Sequence, residues 1–489
     1  MSQHNLILEL VDSPRLAGFT GAVQKGTATE LDPILVPTLA SFRYDAAFPG
    51  APLPQRGDTT QAGRPPSAAD AALPAATYLV RGAVTAVGLT AFEAEVKCTP
   101  SIVAYYADVP LVGFPPRPAA VAEQAMAGRL RAAPLHRRGM DGNGVCVAIV
   151  ADGVNLDVLH DRDKQPEVDP GRSWARPGSS MTPLAAPSGT GTTLACDVCL
   201  AAPGCTLIDV ALLPASDDAS SRPARLSDAI LAYRHLLDVA VALSRPGERR
   251  ALVIANDWAL APGAWDFPPG HRGNYSDNPD HPCTHLIALL DAAGADLVFT
   301  AGSGQALAGA HASPHVLAVA GVDPAQANGA GRQDGRRAEV AVPVAGATGV
   351  VAGLVAAIRS QYPCRPGVPT THPAVLRDLL QCTAQTREAA RSGLRHGEDA
   401  GDATIRDRTP RRARPAVCER YPWLCHRPAC TYRPWLCDPG WWREAPGTAG
   451  DEPGTALLVG ELLAVKDEDR PGLLAALLTS GPRSEQTGC

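Results

Sequence analysis

Four cysteines lie close together late in the chain, where their thiols could bind a metal ion or pair as disulfides. The segment CERYPWLCHRPACTYRPWLC nearly repeats itself after 12 residues, and its cysteines are Cys418, Cys425, Cys430 and Cys437. The gaps of six, four and six residues between them are wider than the two-residue gaps usual in structural zinc sites. Three alternatives stay open here: a Zn²⁺ site, two disulfides, or free thiols beside packed tryptophans. We expect no other cofactor.

Five short apolar runs indicate the strands of a parallel sheet. They lie between Val145 and Val322 and read VCVAIV, LIDVALL, LVIAN, DLVFTAG and HVLAVAGV. Short β-branched runs of this kind are typical of strands that are buried on both faces. Segments with helical spacing, such as Leu226–Leu243, lie between several of them. Alternating buried strands and helices predict an α/β domain with helices on both faces of the sheet.

A smaller α+β unit is predicted ahead of this domain. TYLVRGAV and SIVAYYADVPLV are predicted strands, and LTAFEAEVKC between them has helical spacing. Residues 1–75 are interpreted as irregular, because the Pro-, Gly- and Ser-rich stretch 49–74 shows no strand or helix period. After the α/β domain, residues 387–417 are interpreted as a solvated linker. Thr455–Ser480 is predicted to form a helical hairpin.

Composition excludes several classes of protein. The 489 residues are 45% hydrophobic and 19% charged, which is typical of a globular protein and not of a disordered one. A net charge of −6 leaves no cationic surface for nucleic acid. The start of the chain has no signal-peptide pattern, and no run of 18 apolar residues follows. We therefore expect a cytoplasmic protein with no membrane insertion.

Five ordered blocks between about Asp141 and Ala384 resemble the subtilisin-like serine proteases (subtilases). GNGVCVAIVADGVN resembles the strand that ends in the catalytic Asp of that family, and SGTGTTLACDVCLAAPGCTLIDVALL resembles its catalytic His block. FTAGSGQ with ASPHVLAVAGVD resembles the oxyanion-hole block, PVAGATGVVAG the nucleophile helix, and HPAVLRDLLQCTA the closing helix. The resemblance implies a subtilisin-like parallel sheet with helices on both faces.

The same resemblance implies that the catalytic positions are vacated. It places the Asp at Ala151, the His at Ser188, the nucleophile at Ala345 and the oxyanion Asn at Ser303. Hydrolysis by this family requires a hydroxyl that is activated by an imidazole, and a carboxylate that holds the imidazole. Alanine has no nucleophilic atom, and a serine hydroxyl is not basic near neutral pH. We therefore expect no proteolysis, although the family consists of serine endopeptidases.

One acidic residue is the candidate for a displaced catalytic group. Asp152 follows the vacated Asp position by one residue. On a strand, a shift of one residue sends the side chain to the opposite face, so a bulge would be needed to redirect the carboxylate. A hydrolase that uses such displaced groups stays the alternative function.

The resemblance also implies a groove for an extended peptide strand. Subtilases hold their substrate between two edge segments by backbone hydrogen bonds. The resemblance places one edge at Asp257, Trp258 and Ala259 and the other at Ala301 and Gly302. Trp258 is interpreted either as a pocket wall or as a core residue. Residues 76–118 resemble the propeptide of the family, and without a nucleophile to cut it the tail near Val109–Pro118 is expected to stay attached and fill the groove.

Five parts of the chain follow from these patterns. They are an irregular region 1–75, a propeptide-like domain 76–118, a subtilisin-like domain 119–386, a linker 387–417, and a Cys/Trp-rich segment with C-terminal helices 418–489. The predicted function is that of a catalytically inactive pseudoprotease that binds or scaffolds a peptide or protein partner. A second alternative is a metal-dependent interaction module at residues 418–437.

Overall fold

The structure is a computed structural model of the chain. It describes residues 3–13, 15–16, 18–19, 31–54, 75–114, 132–187, 189–215, 222–245, 247–301, 308–321, 340–342, 347–364, 372–383 and 456–457. The predicted linker 387–417 and the four late cysteines, Cys418, Cys425, Cys430 and Cys437, lie outside the described residues.

Five antiparallel strands form a small sheet in the first part of the chain. They are β1 (Gln3–Val11), β2 (Phe42–Tyr44), β3 (Ala51–Pro54), β4 (Ala75–Thr85) and β5 (Ile102–Ala107). The strand order is β2-β4-β1-β5, and β3 also pairs with β4. Helix α1 (Leu89–Lys97) connects β4 to β5, and its Phe92 is fully buried.

The interpretation of residues 1–75 as irregular is wrong for three segments, because β1, β2 and β3 all belong to this sheet. Strand β1 lies in its centre and pairs with both β4 and β5. Residues 6–10 are consequently buried without alternation, so the strand shows no period of two. Its apolar run NLILELV was the available signal.

The predicted strand SIVAYYADVPLV is two strands. Strand β5 ends at Ala107, and the next strand, β6 (Leu111–Gly113), leaves the small sheet and pairs with a segment of the α/β part. The break follows from Asp108, whose side chain binds Ser227, and from Pro110, which has no N–H to continue a ladder.

A parallel sheet forms the second part of the molecule. Its strands are β7 (Val145–Ala151), β8 (Glu167–Val168), β9 (Trp174–Ala175), β10 (Thr206–Ala211), β11 (Ala251–Asn256), β13 (Asp296–Thr300), β14 (Leu317–Gly321), β15 (Val340–Val342) and β16 (Ala456–Leu457). The order is β16-β15-β14-β13-β11-β7-β10-β8, with β9 also on β10. A further strand, β12 (Trp258–Leu260), lies outside this sheet.

Helices cover both faces of the parallel sheet. They are α2 (Ala133–His136), α3 (Leu156–Asp161), α4 (Thr190–Ala201), α5 (Leu226–Leu243), α6 (Pro282–Ala292), α7 (Ala347–Gln361) and α8 (Pro373–Thr383). In β7, Cys146, Ala148 and Val150 pack in one core with residues of α5 and α6. The alternate residues of β7, namely Val145, Val147, Ile149 and Ala151, pack in a second core with α4 and α7. The predicted fold class is confirmed: a parallel sheet with helices on both faces, preceded by a small α+β part.

The helical hairpin predicted for Thr455–Ser480 is wrong at the two residues that are described. Ala456 and Leu457 form β16, which pairs with Val340 and Ala341 at the sheet edge. Edge backbone groups need hydrogen-bond partners, and a segment distant in sequence supplies them here. Within the described part of the chain, no helix combines the length and apolarity needed to cross a membrane.

Candidate functional site

Ala151, the position at which the resemblance places the catalytic Asp, lies at the carboxyl end of β7 and is fully buried. Its carbonyl oxygen accepts hydrogen bonds from the Leu212 and Leu213 N–H groups, both at 2.9 Å. The first turn of α4 lies against its methyl group, because a Cβ added at Gly191 would come within 3.2 Å of the Ala151 Cβ. The space beside Ala151 is therefore filled by the chain itself. Ser188, Gly302, Ser303 and Ala345 lie outside the described residues.

Asp152 turns its carboxylate into the start of α4. Its Oδ1 accepts hydrogen bonds from the Gly191 N–H at 2.7 Å and the Thr190 hydroxyl at 3.1 Å, and its Oδ2 accepts one from the Thr190 N–H at 3.1 Å. A Cβ at Gly189 would lie 2.3 Å from that Oδ2, so only glycine permits this approach. A carboxylate at a helix N-terminus satisfies N–H groups that have no partner within the helix. The role that this geometry gives to Asp152 is that of a cap.

A second acidic residue, whose carboxyl interacts with that of Asp152, was not singled out in the sequence. Asp209 lies in β10, fully buried, and its Oδ2 accepts hydrogen bonds from the Leu184 N–H at 2.7 Å and the Val154 N–H at 3.1 Å. Its Oδ1 has no hydrogen-bond partner in the described part of the chain. Burial raises the pKa of Asp209 to about 6, although the two N–H donors oppose the rise. The signal was a charged residue inside the buried run LIDVALL.

Strand β6 fills a groove between two segments of the α/β part. It runs antiparallel to β12, with Gly113 opposite Trp258, Val112 opposite Ala259 and Leu111 opposite Leu260. The pairing extends by one residue, since the Ala261 N–H donates to the Pro110 carbonyl at 2.9 Å.

The second side of the inserted strand meets residues 224–226. The Leu111 N–H donates to the Ala224 carbonyl at 2.8 Å, and the Leu226 N–H donates to the Val109 carbonyl at 3.0 Å. Val109 and Leu111 are buried, whereas Val112 is exposed by 37%. The chain thus holds residues 109–113 of the expected segment 109–118 as an extended strand between two edges. The edge opposite β12 is formed by residues 224–226, whereas the resemblance places it at Ala301 and Gly302, so that part of the expectation is wrong.

The inserted strand points towards the end of β7. A Cβ at Gly113 would lie 3.1 Å from Leu213 Cδ1 and 4.0 Å from the Thr190 hydroxyl oxygen. Leu213 binds the Ala151 carbonyl, and Thr190 binds Asp152. The groove and Ala151 are therefore neighbours.

Trp258, one of the predicted groove residues, is a core residue. Its side chain is fully buried, and its indole N–H donates to the Tyr233 hydroxyl at 2.9 Å. The Tyr233 hydroxyl in turn donates to Asn256 Oδ1 at 2.8 Å. Phe299 and His311 pack edge-on against the indole with ring centroids 5.8 and 4.8 Å away. Of the two interpretations of Trp258, the structure decides for the core.

His311 orients the edge of the groove. Its Nε2 donates to the Trp258 carbonyl oxygen at 2.8 Å, and burial lowers its pKa to about 4. The imidazole is therefore neutral near pH 7. Its hydrogen bond fixes the backbone of β12 beside the inserted strand, and no catalytic acid or base function follows from this position.

The remaining predicted groove residues lie at the carboxyl ends of neighbouring strands. Asp257 Oδ1 accepts a hydrogen bond from the Thr300 hydroxyl at 2.8 Å, and the Thr348 hydroxyl lies 2.8 Å from that of Thr300. The Ala301 N–H donates to the Val319 carbonyl at 2.7 Å. Asp257 thus binds inwards to the next strand, and Ala301 extends the sheet.

The described residues offer no metal centre, because none of their His, Cys, Asp and Glu side chains form a group of three or more that could hold an ion. Cys146, Cys199 and Cys205 are buried free thiols. Burial raises the pKa of Cys146 to about 11, which makes it a poor nucleophile.

Comparisons with known proteins found likeness only among solved structures. No protein-family model matches the chain, and no curated protein matches it in sequence. Sphericase is 17% identical with a TM-score of 0.34, over 50% of this chain and 84% of its own. Fervidolysin from Fervidobacterium pennivorans, a keratinolytic enzyme related to subtilisin, is 13% identical with a TM-score of 0.43, over 78% of this chain and 57% of its own. Both TM-scores are below 0.5, so the fold is defined by the strand order and the two cores and not by these two likenesses.

Proposed function

We propose that this chain is a catalytically inactive subtilisin-like protein that acts by binding or scaffolding. The geometry around Asp152 carries the proposal. The vacated position Ala151 is packed against α4, and the only displaced acid that the sequence offered is engaged by three hydrogen-bond donors of that helix. The start of α4 occupies three of the roughly four acceptor sites of this carboxylate, which supports a structural role and not that of orienting an imidazole.

The filled groove favours scaffolding over capture of free peptides. Residues 109–113 already make the backbone hydrogen bonds that an extended peptide would make. Because this strand is tethered to the groove, its effective concentration is high, on the order of millimolar for short linkers, and a free peptide competes poorly. A protein partner therefore binds to surfaces outside the groove, or displaces β6 with a segment of high affinity.

A fluorophosphonate probe and a mixture of fluorogenic peptides test the absence of catalysis. We expect neither labelling nor turnover from the purified chain. The matched variants are Asp152→Ala and Asp238→Ala, of which the second removes an exposed carboxylate from α5. Turnover that Asp152→Ala abolishes and Asp238→Ala preserves would instead establish a hydrolase with displaced groups.

The variant Val112→Pro tests whether β6 closes the groove. Successive N–H groups of a strand point to opposite sides, and that of Leu111 points to Ala224, so that of Val112 points to β12. Proline removes this N–H. We expect peptides that reproduce residues 109–114 to bind the variant and not the wild type. Equal binding to both proteins would contradict a closed groove.

A further inference from the structure

We propose that the small part, made of β1 to β5, α1 and β6, is a permanent structural part of this fold and that the loop 261–281 fastens it to the α/β part. The proposed function requires only that the small part stays attached because nothing cuts it. The contacts described below predict more, namely that it stays in place even after the chain between the two parts has been cut.

The two parts share one hydrophobic core. In β1, Leu6, Ile7 and Leu8 are completely buried, although a single sheet covered by its own helix alone would leave one face open. The same core contains residues of α5 and α6, among them Tyr233 and Leu286. Separation would expose a whole face of the small sheet and a face of both helices to water, which is unfavourable in proportion to the apolar surface exposed.

The loop 261–281 adds an aromatic clasp on the edge of the small sheet. Trp265 stacks on His4 with ring centroids 4.0 Å apart, and Phe267 packs edge-on against Tyr105 at 5.6 Å. The Ala107 N–H at the end of β5 donates to the Gly273 carbonyl at 3.0 Å. Each of these contacts joins the loop to a strand of the small sheet.

A glycine permits the close approach of the loop. A Cβ at Gly273 would lie 2.8 Å from the Tyr105 carbonyl oxygen and 2.7 Å from the Phe267 ring. Any larger residue would push the loop away from β5.

The loop is held in this shape by its own hydrogen bonds. The Asp266 carboxylate accepts hydrogen bonds from the N–H groups of Phe267 at 2.8 Å, Tyr275 at 3.1 Å and Ser276 at 3.2 Å. Asn274 Nδ2 donates to the Phe267 carbonyl. Because the loop is ordered by these internal bonds, little conformational entropy is lost when its aromatic side chains pack on the small sheet.

A buried ion pair joins the two parts on another side. Arg81 of β4 is 3% exposed; its Nη1 donates to Asp228 Oδ1 of α5 at 2.8 Å, and its Nε donates to Asp45 at 2.8 Å. Asp108, just after β5, accepts hydrogen bonds from the Ser227 N–H and hydroxyl, both at 2.9 Å. Buried charges of this kind are strongly unfavourable once a partner is removed. Separation would expose both partners to water, so the ion pair fixes how the two parts fit together, and the buried apolar surface accounts for most of the cost of separating them.

The test cuts the chain between the two parts. A recognition sequence for a site-specific protease is placed within residues 119–127, and the cleaved protein is examined by size-exclusion chromatography over a dilution series. We expect both fragments in one peak at every dilution and a single thermal unfolding transition. Two peaks, or two transitions, would overturn the proposal.

Matched variants show whether the loop and the ion pair together contribute to the fastening. After cleavage, Trp265→Ala with Arg81→Leu is expected to release the small fragment at least tenfold faster than the cleaved parent. The control Arg234→Ala, which breaks an exposed pair with Asp238 on α5, should release it at the parent rate. Equal release rates in all three proteins would refute a role for the loop and the ion pair.

Hydrogen exchange on the uncut wild-type chain provides a second measurement that needs no variant. If the small sheet is a permanent part, the amides of β1 and β7 exchange with the same protection, because both open only in global unfolding. Exchange of β1 at least tenfold faster than β7 would show separate opening and overturn the proposal. Measured peptide turnover would refute the proposed function alone, whereas separation of the fragments would refute this inference alone.

Discussion

The free energy of unfolding of Asp209→Asn, measured as its difference from that of the wild type, should increase as the pH rises. The carboxyl of Asp209 is fully buried, and its pKa is raised from 3.8 to about 6. In the wild type the folded state holds a proton that the unfolded chain releases between these pH values. This contribution to the free energy of unfolding is therefore present at low pH and lost as the pH rises through about 6.

The size of the effect follows from the pKa shift. A shift of about two units corresponds to about 3 kcal/mol in total, at about 1.4 kcal/mol for each unit. About half of it, roughly 1.5 kcal/mol, falls between pH 5 and pH 8, because the unfolded carboxyl is already ionised at pH 5. The amide oxygen of Asn can still accept the Leu184 and Val154 N–H groups that Asp209 Oδ2 accepts. Any constant loss from replacing a charged acceptor cancels in the comparison between two pH values.

Urea denaturation followed by tryptophan fluorescence measures this difference. The free energies of unfolding of wild type and Asp209→Asn are determined from pH 5 to pH 8, with the exposed Asp238→Asn as the control. The difference between Asp209→Asn and wild type should increase by about 1.5 kcal/mol over this range. A difference that is constant with pH would show that the carboxyl is not held neutral by its surroundings, and would refute the reasoning.

Three further predictions concern the core and the interface. In the wild type, the buried His311 should lower the free energy of unfolding by about 3 kcal/mol as the pH falls from 6.5 to 4, because burial lowers the pKa of His311 to about 4 and the unfolded chain binds the proton first. The variant His311→Gln should lack this contribution. A stability difference between variant and wild type that does not change in acid would contradict this. Trp258→Ala should lower the free energy of unfolding by about 3–5 kcal/mol in urea denaturation, as a core residue does, whereas a pocket wall would cost well under 1 kcal/mol. Arg81→Leu should destabilise by about 3–5 kcal/mol because Asp228 loses its buried partner, and Arg234→Ala by less than about 1 kcal/mol; equal effects of the two substitutions would show that the buried pair has no special role.

Much of the parallel sheet could be predicted because its signals are local. The run VCVAIV is apolar at every position since helices cover both faces of the sheet, and β7 begins at Val145 as predicted. Helix α5 was readable for the same reason, with Leu226/Ile230 and Leu237/Val241 spaced by one turn. The N-terminal strand β1 also has an apolar run, but the Pro-, Gly- and Ser-rich stretch 49–74 in the same region is typical of irregular structure. Local composition therefore misled where the partners of the strand, β4 and β5, are distant in sequence.

The sequence by itself determined that Ala151 stands where its resemblance to the subtilases places a catalytic Asp, and that an acid follows it directly. That Ala151 ends a buried strand and that Asp152 follows it can be read from the residue types. Only the tertiary structure decided where the carboxylate points, because the start of α4, 38 residues later, supplies the donors that hold it. The pairing of β6 with β12 likewise joins segments more than 140 residues apart. Residue types and periods report the immediate surroundings of a chain segment, whereas a site consists of contacts between distant segments, and these exist only once the chain has folded.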